Sequence, residues 1–427
     1  MELTGARIIM ECLLEQGVDT IFGYPGGTII NVYDALYDYQ GKIRHILTAH
    51  EQGASHAADG YYRATGKTGV CFATSGPGAT NLTTGIATAY YDSSAVVFLS
   101  CNVTANVLGK DAFQEVDLTG IAMPITKACY LVDDVTKLAD TVREAFYLAS
   151  HGRPGPVLID ILKTVSGDKA EYTPMPKEAH PNHGHLAQLV ARSSKGFKSI
   201  DTKPECLEKA AEILADAKRP VVLVGGGAVR SGAYEQVREL VKKIDPVVVS
   251  TIMGLGVVPG NDPHFAGFAG MHGAHAANRA LSECDVLFAI GCRFSDRVAL
   301  NPRTFARNAK IIHLDIDRAE INKNIHIDRP LIGDAKVVLE KLLPQIAPQQ
   351  HPDWQARIAK EKVEPQKTVE GLEPFEILQT IEKLTDGEAT IVTDVGQHQM
   401  WSCQFFHYRR PCQLLTSGGF GTMGFGY

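Results

Sequence analysis

The chain has 427 residues, 44% of them hydrophobic and 21% charged, with a formal net charge of -6. That length suits two or three domains with ample core, and the composition is that of an ordinary globular protein. The charge is too mild, and its signs too interleaved, to point to a nucleic-acid or lipid-surface partner.

The N-terminal stretch, Met1 to Gly17, has no basic start followed by a continuous apolar run, since Glu11 and Glu15 interrupt it, so it does not read as a signal peptide. Thr4 is instead placed to cap a helix whose apolar residues are Ala6, Ile8, Ile9, Cys12 and Leu13, with Gly17 ending it. Short apolar runs follow, among them Ile43 to Thr48, Val70 to Thr74, Ala95 to Leu99 and Val157 to Ile161. Glycine-rich turns or helical stretches follow them, such as a helix expected from about Ala79 to Tyr91. This βαβα rhythm predicts a mainly parallel sheet with helices on both faces.

Residues 166–204 are polar, with several prolines and histidines, and read as a linker. A second alternating region covers 205–343, with strands expected at Val221 to Val224, Val247 to Ser250, Val286 to Ile290 and Ile311 to Ile316. A second polar stretch, 344–372, holds Pro348, Pro352 and Pro365 and also reads as a linker. A third region, 373–427, opens with a helix from Pro374 to about Leu384 and a strand from Thr390 to Val395. It closes on the glycine-rich run Ser417 to Gly426 and is far shorter than a usual domain. The expectation is therefore an α/β protein of three doubly wound, mainly parallel domains (1–165, 205–343 and 373–427), the third incomplete. The chain reads as a fragment, or as one whose partner supplies the rest. No stretch approaches the roughly 20 apolar residues that span a membrane. Nine scattered cysteines, an odd count with no Cys-x-x-Cys pair, argue against a disulfide framework or a zinc site and for a reducing, cytoplasmic setting.

Chemistry is expected where glycines follow strands. His50-Glu51-Gln52 ends one strand-like run and opens a helix; ligands bind at the carboxyl ends of strands in open α/β sheets, although a glutamate there also simply suits the helix dipole. Gly23-Tyr24-Pro25-Gly26-Gly27 and Ser75-Gly76-Pro77-Gly78 are two further glycine-rich exits, and three in one domain suggest a common rim where backbone approaches a ligand. Asp111 to Glu115, taken alone, reads as a helix start capped by Asp111. Gly225-Gly226-Gly227 follows a strand but lacks the full spaced dinucleotide fingerprint. Arg293 and Arg297 at another strand exit suit an anionic ligand or a surface salt-bridge cluster equally. His313-Leu314-Asp315 ends a strand where a carboxylate often holds a ribose hydroxyl, and Gly396-Gln397-His398-Gln399 opens a helix whose backbone amides suit a phosphate.

Taken together, several runs resemble the acetohydroxyacid synthase (acetolactate synthase) large-subunit family of thiamine-diphosphate enzymes. They are His50 to Ala54, Ala73 to Asn81, Asp111 to Glu115, Arg153 to Pro156 with Lys163, Gly270 to Gly273, Arg293 to Arg297, Gly396 to His398 and Gly421 to Gly424. The resemblance covers the chain in one order. It implies decarboxylation of pyruvate and carboligation to pyruvate or 2-oxobutyrate, the first common step of branched-chain amino-acid (isoleucine and valine) biosynthesis. It also implies a pyrimidine-binding first domain, a central FAD-holding domain and a diphosphate-binding third domain. By the same resemblance Glu51 would hydrogen-bond the cofactor's pyrimidine N1′, and Gln114 would stand near the reacting groups. Phe113 and Lys163 would line the substrate channel. Gly26, Gly27, Pro77, Asn81, Val395, Gly396, Gln397, His398, Gly421 and Met423 would contact thiamine diphosphate. Arg153, Gly226, Gly227, Thr251, Met253, Met271, His272, Gly291, Arg293, Asp315 and Asp334 match family FAD positions, where the flavin is structural. At least a homodimer and a small regulatory subunit are implied. Thr28 and Thr104 depart from the alanine or proline of many relatives at the channel mouth, which bears on herbicide-type inhibition. Ser295 replaces a common aspartate. The family's Mg²⁺ ligands are expected beyond Tyr427, so no metal ligand is assigned, and weak cofactor binding with little activity is expected of the chain as written. The alternative reading is a truncated, non-catalytic relative that binds FAD and pairs with a full-length subunit.

Overall fold

The computed structural model describes residues 1–176, 202–368 and 370–427. The described residues form two compact units, 1–176 with Gly419–Phe425 and Tyr427, and 202–368 and 370–418 with Gly426.

The first unit is built on a six-stranded, all-parallel sheet. Its strands are β1 (Thr20–Gly23), β2 (Arg44–Leu47), β3 (Gly69–Thr74), β4 (Val96–Asn102), β5 (Ala128–Val132) and β6 (Val157–Leu162), in the order β2-β1-β3-β4-β6-β5. All residues of β3, β4 and β6 are buried, as helices on both faces of a parallel sheet require, and this explains why these runs are mostly apolar rather than alternating, with buried polar exceptions such as Ser100, Asn102 and Asp160. The N-terminal helix forms as expected, Gly5–Glu15, with the Thr4 hydroxyl accepting from the Arg7 amide at 3.4 Å. The helix expected from Ala79 to Tyr91 is broken into Pro77–Thr80 and Thr83–Tyr91. At the break the hydroxyls of Thr80 and Thr83 donate to the carbonyls of Pro77 and Thr80, offering those groups a partner outside the helical ladder.

The helix Glu51–Thr65 is capped by His50, whose Nδ1 accepts from the Gln52 amide at 3.0 Å, and stops at Gly66, whose φ of 74° suits a residue without Cβ. It crosses Thr83–Tyr91 at Gly85, where an added Cβ would lie 1.7 Å from Ser55 Oγ. We expect Gly85→Ala to lower the stability of this unit by about 1–3 kcal/mol, the cost of overpacking a filled contact. Urea denaturation followed by circular dichroism measures it, and an unchanged midpoint would show that the helices part without penalty.

The second unit holds another six-stranded, all-parallel sheet. Its strands are β7 (Pro220–Val224), β8 (Val247–Ser250), β9 (Phe265–Phe268), β10 (Val286–Ile290), β11 (Lys310–Asp315) and β12 (Arg329–Ile332), ordered β9-β8-β7-β10-β11-β12. The third region contributes the helices Pro374–Leu384 and Gln397–Phe405 and a parallel pair, β13 (Ile391–Val392) with β14 (Leu414–Leu415). The strand expected at Thr390 to Val395 is thus only two residues long. This region packs within the same unit through Leu255, Phe268, Cys403, Phe406 and Tyr408.

Both stretches expected as linkers contain packed structure. Within 166–204, Lys169–Glu171 pairs antiparallel with Glu2–Thr4, while residues 177–201 lie outside the described residues. Within 344–372, Pro352–Ala359 is a helix whose Trp354 and Ile358, one turn apart, are buried against the central sheet, with Trp354 Nε1 donating to the Pro220 carbonyl at 3.1 Å. The surrounding prolines and charges masked that single apolar stripe. Among the described residues no helix is long and apolar enough to cross a membrane.

Candidate functional site

In the first unit the connections run from β1 outward to β2 and then back across to β3. That reversal places a switch point between β1 and β3, where doubly wound sheets open a crevice beyond their strand ends. Both strands end there in glycine-rich loops. Gly26 lies so close to Thr74 that an added Cβ would sit 2.4 Å from the threonine Cβ, whereas a Cβ at Gly27 would meet nothing within 4 Å. Gly27 therefore borders open space, and Gly26 lets the two loops touch.

Glu51 projects from the N-terminus of its helix into this rim and is only 7% exposed. Asn81 Nδ2 donates to its Oε2 at 3.0 Å. Gly78 lies beside the other oxygen: an added Cβ would come within 2.9 Å of Glu51 Oε1. A buried carboxyl with one oxygen held by an amide and the other bordered by a glycine is suited to hold or pass a proton. Pro77 opens the short helix that carries Asn81's neighbours, and the Ser75 hydroxyl is buried with no hydrogen-bond partner, an unmet polar group at the rim.

Thr28 ties three strand exits together. Its hydroxyl accepts from the Ser75 amide at 3.0 Å, lies 2.9 Å from Thr74 Oγ1 and donates to the Cys101 carbonyl. Gln114 belongs to the same rim, since a Cβ on Gly76 would sit 2.8 Å from its Cα. The expected helix start at Asp111 is absent. Asp111 and Gln114 both adopt positive φ, 54° and 62°, in an irregular loop where the Glu115 carboxylate accepts from the Ala112 amide at 2.8 Å and from the Gly109 amide. Backbone at positive φ at both positions cannot run on as a right-handed helix. Phe113 is 88% exposed. Lys163 follows β6, its amide donating to the Val103 carbonyl at 3.3 Å. Arg153 also belongs to this unit, its Nε donating to Ser93 Oγ at 2.9 Å.

The segment Gly419–Phe425 folds with the first unit. Thr422 and Thr88 share a hydroxyl contact at 2.6 Å, the Gly419 amide donates to Asp92 Oδ1 at 2.6 Å, and Phe425 lies over the Arg63 guanidinium, 4.7 Å away. Gly421 takes a φ of 71°, and Met423 is exposed. Arg63 is itself buried between Asp59 and Asp92. The sequence analysis assigned this cluster no role, although Asp59 and Arg63 stand one helical turn apart, the spacing at which opposite charges pair.

In the second unit the switch point falls between β7 and β10, with three strands wound to either side, the order of a dinucleotide-binding sheet. The glycines of the two exits interlock. A Cβ on Gly225 would lie 2.1 Å from the Gly291 carbonyl oxygen, and one on Gly227 would lie 2.5 Å from Gly291 Cα. The Gly227 amide donates to the Gly291 carbonyl at 3.0 Å. Gly226 faces the Met253 side chain, and the Thr251 amide donates to the Val224 carbonyl at 2.8 Å. Ser250 ends β8 with its buried hydroxyl unpartnered. These exits, with Arg293 after β10 and Asp315 at the end of β11, lie at the carboxyl ends of the strands, where doubly wound sheets bind ligands.

The other expected flavin residues are spread wider. Asp334 caps the helix Ala335–Leu342, with its Oδ1 also accepting from Ser231 Oγ. Met271 lies against Arg297, and the His272 carbonyl accepts from Gln404. In the third region Val395 and Gly396 lead into Gln397–Phe405, whose first turn has no side-chain cap, leaving the amides near Gln397 and His398 open to an anion. Among the described residues no cluster of three or more His, Cys, Asp or Glu side chains could hold a metal ion.

Three family profiles match the chain. One described as thiamine pyrophosphate enzyme, N-terminal TPP binding domain, covers residues 3–121. The profile for the thiamine pyrophosphate enzyme central domain covers 207–342, and that for the C-terminal TPP binding domain covers 394–427. Among curated proteins, the chain is 45% identical to a probable acetolactate synthase large subunit of Methanocaldococcus jannaschii, over 100% of this chain and 72% of that protein. It is 43% identical to the acetolactate synthase large subunit of Lactococcus lactis, over 99% and 72%. It is 39% identical to the acetolactate synthase isozyme 3 large subunit of Escherichia coli K12, over 99% and 74%.

Proposed function

We propose that this chain, which belongs to the family of acetolactate synthase large subunits, carries the carboligase site of that family and condenses pyruvate with pyruvate or 2-oxobutyrate. The observation that carries the reading is the buried Glu51 carboxylate, held by Asn81 and bordered by Gly78 at the first switch point. Thiamine diphosphate supplies, when bound, the electron sink for decarboxylation. Glu51 holds a proton at the pyrimidine N1′, and Gly26, Gly27, Pro77 and Asn81 shape the pocket beside it. Gln114 and Lys163 orient the 2-oxo acid, with Phe113 bordering its approach. Gly421 and Met423 would serve the pyrimidine end and Val395 to His398 the diphosphate, where Mg²⁺ would neutralise the phosphate charge. The interlocked glycines at 225, 227 and 291 and the unpartnered Ser250 hydroxyl suit the pyrophosphate of FAD, with Arg293, Thr251, Met253, Met271, His272, Asp315, Asp334 and Arg153 as its further contacts. We assign the three sequence regions accordingly to pyrimidine binding (1–165), flavin binding (205–343) and diphosphate binding (373–427). A homodimer or larger assembly, a small regulatory subunit and a cytoplasmic setting complete the proposal.

The test is to incubate the purified protein with pyruvate, thiamine diphosphate, Mg²⁺ and FAD, measure acetolactate, and titrate FAD by its fluorescence. Acetolactate formed even at the low level expected of the sequence as written would support the reading, and FAD binding is expected, lost in Gly227→Val, whose branched side chain has no room against Gly291. Pyruvate consumed to other products would replace this reading with a different thiamine-diphosphate decarboxylase. FAD binding without turnover would favour a non-catalytic flavin-holding relative.

A further inference from the structure

The middle of the first sheet contains a polar chain in a place where packing alone would select aliphatic residues. β6 reads Val157-Leu158-Ile159-Asp160-Ile161-Leu162, and Asp160 is buried on both sides. Its partner across the strands is Ser100, whose Oγ donates to Asp160 Oδ1 at 2.6 Å. Two residues on, Asn102 Nδ2 donates to Asp160 Oδ2 at 2.7 Å. Burial pushes the Asp160 carboxyl up, and the bonds from Ser100 and Asn102 pull against it. An unpaired carboxyl in such a place is costly, and the two donors offset that cost.

Asn102 has two further bonds, and both reach one loop. Its Oδ1 accepts from the Val103 amide at 2.8 Å, and its Nδ2 donates to the Val116 carbonyl at 3.2 Å. Val103 and Val116 are the two ends of the stretch that holds Phe113 and Gln114. With Asp160 fixing its amide, Asn102 cannot flip without setting donor against donor at Val103 and acceptor against acceptor at Val116. The loop between is strained at Asp111 and Gln114, both at positive φ, and such conformations persist only where the surroundings over-determine them. Glu115 braces it from inside through the Ala112 and Gly109 amides.

We propose that Asn102, oriented by Asp160, is a positioning residue that brackets residues 103–116 and so sets where Gln114 stands against Gly76 at the rim. Its bearing on catalysis rests on the carboligase reading above; the bracket itself does not.

Hydrogen exchange by mass spectrometry on the full chain tests both. In Asn102→Ala, peptides within 104–115 are expected to exchange at least about tenfold faster, with β3 and the helix Val135–Ser150 unchanged. Asn102→Ser, whose hydroxyl can still serve Asp160 but is too short to reach Val116, is expected to do the same and stands in should the alanine variant fail to fold. Ser100→Ala removes a bond to the same carboxyl without touching the loop, and is expected to leave 104–115 as in the parent. Unchanged exchange in both Asn102 variants, or equal loosening in Ser100→Ala, would overturn the proposal. In the acetolactate assay the Asn102 variants should lose about tenfold to a hundredfold in kcat, since misplacing a reacting group by about 1 Å costs that much, with thiamine diphosphate affinity kept. A parent protein without turnover would sink the carboligase reading and leave the exchange result standing.

Discussion

Glu51→Gln is expected to lower acetolactate formation by about two to four orders of magnitude, the usual contribution of a positioned proton-transfer group. The substitution preserves size, and the new amide oxygen can still accept from Asn81, so the capped helix and the Gly78 contact should survive. What it removes is the ionisable proton at a nearly buried position. The measurement is kcat at saturating pyruvate and cofactor beside thermal unfolding of the same sample. Turnover within a fewfold of the parent, with folding intact, would mean that Glu51 only complements the helix dipole, the bland role that its place at a helix N-terminus also allows.

The largest loss of stability is expected from Arg63→Met, about 3–5 kcal/mol. The Arg63 side chain is 2% exposed and those of Asp59 and Asp92 are 0% exposed. Arg63 Nε and Nη2 donate to the two oxygens of Asp59 at 2.7 and 2.8 Å, and Nη2 also reaches Asp92 Oδ2 at 2.9 Å. Removing the cation leaves two carboxylates buried together, and breaking a buried ion pair from one side typically costs that amount. The Phe425 ring loses its cation as well. Urea unfolding should show a lower midpoint with the slope unchanged. A loss under about 1 kcal/mol would mean that water reaches the cluster and screens it, as at exposed pairs. The triple replacement of Arg63, Asp59 and Asp92 by apolar residues should recover much of the loss, because the penalty lies in the stranded charges.

The sheets were the legible part of this chain. Runs such as Val221 to Val224 and Val286 to Ile290 are continuously apolar because both faces are covered, and the glycines at their exits marked where a ligand could approach the backbone. Less legible were elements whose burial depends on distant partners. Trp354 and Ile358 sit among prolines and charges, and only the sheet beneath them shows that the stretch is packed. At Asp111 to Glu115, local chemistry suggested a helix cap; the Glu115 carboxylate turned back on Gly109 and Ala112 instead. Site residues followed the same division. Glu51, Asn81 and the glycines at 26 and 78 are brought together as their loops suggested. Thr28, Asn102 and Asp160 act through hydrogen bonds between strands far apart in sequence, and a solitary aspartate inside an aliphatic strand was the one local sign.

The docking of Gly419–Phe425 on the first unit has a consequence for biosynthesis. A nascent chain emerges from its N-terminus, and domains generally fold as units during synthesis. Here the sheet strands, Arg63 and Asp92 are all made within the first 162 residues, whereas the Gly419 amide, Thr422 and Phe425 that complete their surroundings come more than 250 residues later. Until they arrive, the Gly419 amide and the Phe425 ring are missing from the surroundings of this cluster. The sheet of the first unit can therefore form on the ribosome well before residues 419–425, which pack beside Arg63 and Asp92, have been made.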